Sequence, residues 1–210
     1  MPGALDGIRV IDFGQYIAGP HTAMLLADQG AEVIRIDPPG GPRWDTPANA
    51  TWNRNKQSIV LDLKQADDLV VAKRLIASAD VVVENFRPGV MERLGLGAKA
   101  AVEANPGLVY CSLPGFASDD PRSGDAAWEG VVAAATATYR AGPGGTPVYT
   151  ALPFSSHYAA FQAAVAIAMA LNARQRDGLG QVVEVPLFDA TFAAIGAWPA
   201  RSQRARQRRP

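Results

Sequence analysis

A serine and a histidine stand side by side at Ser156 and His157, and in this 210-residue chain they are the residue types that most directly suggest catalysis. A Ser–His pair works as nucleophile and base when the imidazole can take the hydroxyl proton, as in a hydrolase. Adjacent residues at the start of a helix do not face each other, so this pair is not expected to share a proton. Cys111 is the only cysteine; it has no histidine base beside it, and His21 and His157 are the only histidines available to join it in a metal cluster. No structural zinc or other metal site is therefore expected. The chain carries no G-x-S-x-G elbow and no H-E-x-x-H helix, and the GPGG at 142–145 lacks the Lys-Ser or Lys-Thr of a phosphate-binding loop, so it reads as a turn.

The elements that must position any site alternate along the chain. β-rich runs at 8–13 (IRVIDF), 32–37 (EVIRID), 58–63 (SIVLDL), 80–85 (DVVVEN), 108–113 (LVYCSL) and 181–188 (QVVEVPLF) are separated by helical stretches. That alternation predicts an α/β fold: a Rossmann-like parallel sheet flanked by helices. The near-continuous apolar character of DVVVEN and LVYCSL fits strands buried on both faces. Between the first two runs, Pro20 opens a helix whose Ala23, Met24, Leu25 and Leu26 face the sheet, and Gly30 ends it. Residues 158–171 are apolar almost all round apart from Gln162, which predicts a helix buried in the core, followed by Arg174 and Arg176 at its negative end and stopped by Gly178. A further helix is expected around Trp128 to Tyr139.

Hydrophobic residues make up 48% of the chain, enough for a core of one domain. No apolar run approaches the roughly 20 residues of a membrane span, and the N-terminus lacks the regions of a secretory signal. With a single cysteine, these features point to a cytoplasmic protein without a membrane partner. Five of the 20 basic residues (Arg201, Arg204, Arg206, Arg208 and Arg209) fall within the last ten positions, leaving 15 against 20 acids in residues 1–200. This basic end has no aromatic interleaving and no reader motif, so no nucleic acid is expected as a partner. The division is a domain over 1–196 and a disordered basic tail over 197–210.

Four blocks carry the chain beyond generic motifs: LDGIRVIDFGQYIAGPHTAMLLADQGAEVIRIDPPGG from residue 5, NRNKQSIVLDLK at 53–64, ADVVVENFRPGVMERLGL at 79–96 and NPGLVYCSLPGFA at 105–117. With ARQRDGLGQVVEVPLFDA at 173–190, their order and spacing resemble the family III CoA-transferases, whose members include formyl-CoA and carnitine CoA-transferases and, as a relative, α-methylacyl-CoA racemase. The resemblance implies acyl-CoA and a carboxylic acid as substrates, no permanently bound cofactor, and a homodimer or a dimer with a homologue. It implies a CoA site formed by Gln15, Tyr16, Ile17 and Ala18 after the first strand and by Asn85, Phe86 and Pro88 after the fourth. Both loops follow strand C-terminal ends, where α/β sheets bind ligands. Arg93 resembles a contact to the phosphate or ribose of the nucleotide, with pairing to Glu92 or Glu84 on a solvated surface as the alternative. Arg54 or Lys56 would serve the pantetheine or phosphate side.

The resemblance also implies a nucleophilic Asp ahead of the long apolar helix, attacking the thioester to form an anhydride and then an aspartyl-CoA thioester. Counting back from Gln181 places Ser156 at that position, and no Asp or Glu occurs from Val148 to Arg176. A serine ester is too stable to pass an acyl group readily to a thiolate or a carboxylate, so impaired transfer is expected. Asp125 or Glu129 are substitute acids that no motif singles out. A racemase would need a histidine near position 124, where the chain reads RSGDAAWEG. With Trp128 and Glu129, Ser156 resembles the halves of double-length members that have lost the Asp. The readings that follow are an impaired CoA-transferase half, a non-catalytic CoA-binding or dimerisation module, and a Ser156-dependent hydrolase or transferase, with an α-methylacyl-CoA racemase-like isomerase as a further alternative. The similarity stops near Ile195 and family members run to about twice this length, so a truncated chain, through a frameshift, a premature stop or an artificial boundary, is the expectation.

Overall fold

A computed structural model describes residues 2–42, 44, 46–148 and 150–196; the basic tail lies outside the described residues. The strands are β1 (Arg9–Asp12), β2 (Glu32–Asp37), β3 (Gln57–Val60), β4 (Val81–Glu84), β5 (Val109–Ser112), the short pair β6 (Arg140–Ala141) and β7 (Pro147–Val148), and β8 (Val182–Glu184). The helices are α1 (Ala18–Asp28), α2 (Pro47–Trp52), α3 (Ala66–Ala77), α4 (Val90–Arg93), α5 (Ala98–Ala104), α6 (Glu129–Ala135), α7 (Phe154–Asp177) and α8 (Leu187–Ile195). Six strands form one sheet in the order β3-β2-β1-β4-β5-β8, every pair parallel. The predicted α/β class and Rossmann-like sheet are present.

Alternation along each strand divides the core. Val10, Val33, Val81, Val83, Val109 and Cys111 face α1, α7 and α8, whereas Ile11, Ile36, Val82 and Tyr110 face the layer of α3, α4 and α5. The middle strands are buried on both faces, which is why they read as apolar runs rather than alternating ones. Gly30, at φ +99°, turns the chain from α1 into β2, and Gly178, at φ +77°, caps α7.

Several elements differ from expectation, the first being α1, which starts at Ala18 rather than being opened by Pro20. The last predicted strand is reduced to β8, because Pro186 starts a new helix at Leu187. The helix expected over Trp128 to Tyr139 stops at Ala135. The apolar α7 is buried on one face only: Ala159, Ala160, Ala163, Ile167 and Ala170 pack inward, while Tyr158, Phe161, Val165 and Met169 form an exposed stripe. By length and composition α7 could cross a membrane, against the expectation that no segment would; here it packs on α1, α8 and the sheet.

A buried ion pair ties the layers together. Lys56 Nζ lies 2.8 Å from Asp12 Oδ2, with side-chain exposures of 1% and 0%. It also donates to the Pro20 carbonyl at 2.8 Å and to Asn53 Oδ1 at 3.0 Å. Burial pulls the ammonium below its usual range, opposed by the Asp12 carboxylate. Lys56→Met leaves Asp12 buried without its counter-charge, and the expected loss is about 3–5 kcal/mol by urea unfolding. A loss below about 1 kcal/mol, typical of a solvated pair, contradicts this view of the pair.

Candidate active site

The direction of strand order reverses between β1 and β4, so the loops leaving these two strands part and open a crevice at the carboxyl edge of the sheet. After β1, Asp12 Oδ1 accepts the Gly14 N–H at 2.8 Å and starts a tight loop. A methyl group on Gly14 would lie 2.7 Å from the Gly19 backbone, so only glycine lets this loop rest on the first turn of α1. After β4, the Asn85 side chain accepts the Gln15 N–H at 2.7 Å and donates to the Gln15 carbonyl at 2.8 Å, bracing one loop against the other. Tyr16 then holds the left-handed region at φ 69°, and its ring meets Trp44 edge-on at 4.5 Å.

A cavity of about 490 Å³ opens at this point. Of the residues expected from sequence, Gln15, Tyr16, Ala18, Asn85, Phe86, Pro88 and Ser156 all line it. Ile17 is buried in the loop beneath. A second cavity of about 420 Å³ adjoins it, sharing Gln15 and Phe86, and this one contains Arg93 together with Lys64. The ligand role expected of Arg54 or Lys56 is not available to Lys56, whose three donors are spent on Asp12, Pro20 and Asn53. Arg54 points elsewhere, to Asp28 on the surface.

Ser156 and His157 part company as expected. The Ser156 hydroxyl donates to Glu129 Oε2 at 2.7 Å, whereas His157 Nδ1 lies 3.0 Å from His21 Nδ1. The two imidazoles pack against Trp52 at tilted angles in an aromatic cluster, and burial, with His157 nearby, holds His21 down to about 4. A hydrogen bond between two Nδ1 atoms requires one to keep its proton and the other to remain unprotonated. Neither imidazole serves Ser156.

Asp125 and Glu129 are the two acids that sequence reasoning named without a reason to prefer either, and both line the cavity, but Glu129 is the one bound to Ser156. It begins α6, is 3% exposed and lines the cavity. Its Oε1 accepts the Ser155 N–H and its Oε2 the Ser156 N–H, both at 2.8 Å, so it caps the N-terminus of α7 from outside that helix. The signal was an acid heading the otherwise apolar run EGVVAAA. Trp44, Ser123, Leu113 and Leu187 also line the cavity and gave no signal in the sequence. Among the described residues there is no cluster able to hold a metal ion.

Glu84, at the end of β4, accepts the Phe86 N–H at 2.8 Å and so shapes the shared wall of both cavities. Burial raises its carboxyl to about 7, against the pull of that N–H and with the help of Glu92 and Glu184. Unfolded, the group would release its proton near 4.5; folded, it keeps it to about 7, so its contribution to stability falls as pH rises through that window. A gap of that size corresponds to roughly 3 kcal/mol, with the full penalty present above about pH 7. His21 acts oppositely, because a base held down to about 4 lends stability that grows as pH rises from there toward 6.5. Glu84→Gln keeps an acceptor for Phe86 and removes the falling contribution. Its unfolding free energy is expected to climb through this window and exceed that of the parent above about pH 7. Superimposable pH–stability curves would refute the assignment.

The family model described as CoA-transferase family III matches residues 5–210, so the similarity does not stop near Ile195 as expected. The chain is 50% identical over 198 residues to the CoA-transferase/lyase DddD of Marinomonas sp. (strain MWYL1), covering 91% of this chain and 24% of that protein. It is 36% identical over 208 residues to the succinyl-CoA–D-citramalate CoA-transferase of Chloroflexus aurantiacus, covering 92% and 52%. The crystal structure of a CAIB/BAIF family protein from Brucella suis superposes with a TM-score of 0.90 at 29% identity, over 100% of this chain and 60% of that one. The chain thus spans about a quarter of the first relative's length and about half of the second's.

Proposed function

The chain belongs to CoA-transferase family III, and from that premise we propose that it supplies the CoA-binding half of an enzyme moving CoA between an acyl-CoA and a carboxylic acid. The observation that carries this reading is the junction of the two cavities over Gln15 and Phe86, at the reversal of strand order. An extended ligand laid across Phe86 reaches both at once. Its nucleotide end lies by Arg93 and Lys64, two cations suited to phosphate, and its thioester end lies by Glu129 and Ser156. Asn85, Glu84 and Gly14 hold the two loops in place before ligand arrives, which lowers the ordering cost of binding.

Calorimetric titration with free CoA tests this reading. The parent chain is expected to bind, and Arg93→Ala to bind about 10- to 100-fold more weakly, the range for loss of a charged hydrogen bond. Equal affinity in both removes Arg93 from the site, and no binding to either rejects the proposal.

The exposed stripe of Tyr158, Phe161, Val165 and Met169 supports a second part of the reading, that the protein works paired with another copy of itself or with a homologue. Sedimentation equilibrium is expected to show a dimer that Val165→Glu with Met169→Glu dissociates. A monomer at all concentrations, with no association on adding a full-length homologue, rejects this part.

A further inference from the structure

We infer that Arg122 is a positioning residue for the acyl end of the cavity: held against two phenylalanine rings, it sets the loop over 115–127 that brings Ser123 and Asp125 to the site. The inference rests on the acyl-CoA reading above and concerns the wall beside the acyl group, not the nucleotide end.

Between β5 and α6 the chain forms neither helix nor strand over 115–127. The two ends of this stretch touch. A methyl group on Gly115 would lie 2.1 Å from the Ala127 Cβ, so only glycine lets them meet, and the residues between close into an Ω-shaped loop. Backbone bonds from Asp120 to Ala117, Ser123 to Asp120 and Asp125 to Arg122 coil it tightly. Gly115, Ser123, Asp125 and Ala127 line the first cavity, and none of these four is among the described residues lining the second, where Arg93 and Lys64 lie. A displacement of the loop therefore alters the acyl end and leaves the nucleotide end as it is.

Two fastenings hold the loop to the body of the fold. On its outgoing limb, the Ser118 N–H and hydroxyl donate to the two oxygens of Glu184 on β8, at 2.7 and 2.8 Å. On its returning limb, Arg122 Nε and Nη2 donate to the two oxygens of Asp120 at 2.9 and 2.6 Å. The same guanidinium lies 4.2 Å from the centre of the Phe116 ring and 4.5 Å from that of Phe188 on α8. Phe116 is buried and Phe188 packs against the core, so the rings are a fixed seat for a cation carried by the loop. Arg122 directly precedes Ser123, and Asp125 follows three residues on; where the guanidinium sits decides where those side chains stand.

Charge reinforces the seat. Hydrogen bonding to Asp120 first, with the charges of Asp120, Asp125 and Asp189, raises the guanidinium above its usual range. The cation thus faces three carboxylates, one of which lines the cavity. A lysine would keep the charge, but it has no planar fork to grip both oxygens of Asp120 while stacking on the rings.

The test compares calorimetric titrations of free CoA and of S-butyl-CoA, an unreactive thioether whose chain needs the acyl end. The parent is expected to bind S-butyl-CoA more tightly than CoA, because the butyl group lies against Leu113 and Leu187. In Arg122→Ala the affinity for S-butyl-CoA is expected to fall about 5- to 10-fold, the size of two exposed cation–π contacts, with that for free CoA unchanged within about twofold. Arg122→Lys is expected not to restore the preference, and Phe188→Leu to lose part of it. Hydrogen exchange on the same preparations is expected to quicken at the amides of 116–127 in Arg122→Ala and nowhere else. If the parent binds CoA without the preference, or Arg122→Ala keeps it or weakens both ligands alike, or Arg122→Lys restores it fully, the inference falls and the CoA site stands. A parent that binds neither ligand overturns both.

Discussion

The Lys56–Asp12 pair is the interaction on which the working edge of the sheet depends. An ammonium removed from water costs several kcal/mol unless its donors are satisfied, and here the three donors reach three oxygens from three parts of the fold. Asp12 ends β1, the Pro20 carbonyl belongs to the first turn of α1, and Asn53 caps α2. The pair therefore fixes where α1 begins relative to the strand before it. The other oxygen of Asp12 holds the Gly14 N–H, so the same carboxylate that neutralises Lys56 also starts the loop that lines the cavity. Arg35 and Asp37 form a second buried pair at 2.7 Å on β2, where burial outweighs the attraction of Arg35 and raises the Asp37 carboxyl.

From that anchor the cavity follows with little freedom. Gly14 rests on Gly19, Asn85 clamps the backbone of Gln15, and Glu84 holds the N–H of Phe86. Each contact joins the loop after β1 or β4 to something rigid. The cost is local strain at Tyr16 and a buried carboxyl at Glu84, both tolerated because the surrounding hydrogen bonds over-determine the loops. Sites built this way trade stability for preorganisation.

Much of this was legible in the sequence, for reasons that differ by element. EVIRID matched its strand end to end, and the two middle strands were recognisable as buried on both faces because no polar residue interrupts their apolar runs. Gly30 and Gly178 were legible because a left-handed residue at a helix end has few substitutes. Lys56 misled because a basic residue within a ligand-binding block looks the same whether its charge meets a phosphate or a buried Asp; only the depth of the site decides. The burial of α7 misled for a related reason. Hydropathy records that its outer stripe avoids water but not whether this chain covers it. Glu129 was the least legible, since its partners lie 26 and 27 residues away across a hairpin, and no local pattern encodes that contact.

The two sides of α7 explain why the site is rigid at one end and open at the other. Its inner face is nearly all alanine, at 159, 160, 163 and 170, so the helix lies close against α1 and the sheet with little room to slide. That fixes the helix N-terminus, whose unpaired N–H groups call for an acceptor wherever they end up. With serine at 156, α7 offers no carboxylate of its own in its first turn, and the demand is met across space by Glu129. The placement of that carboxylate is therefore a consequence of backbone hydrogen bonding as much as of chemistry: any acid reaching this cavity from α6 is drawn to the same N–H groups. The outer stripe of Tyr158, Phe161, Val165 and Met169 is exposed and takes no part in lining the cavity.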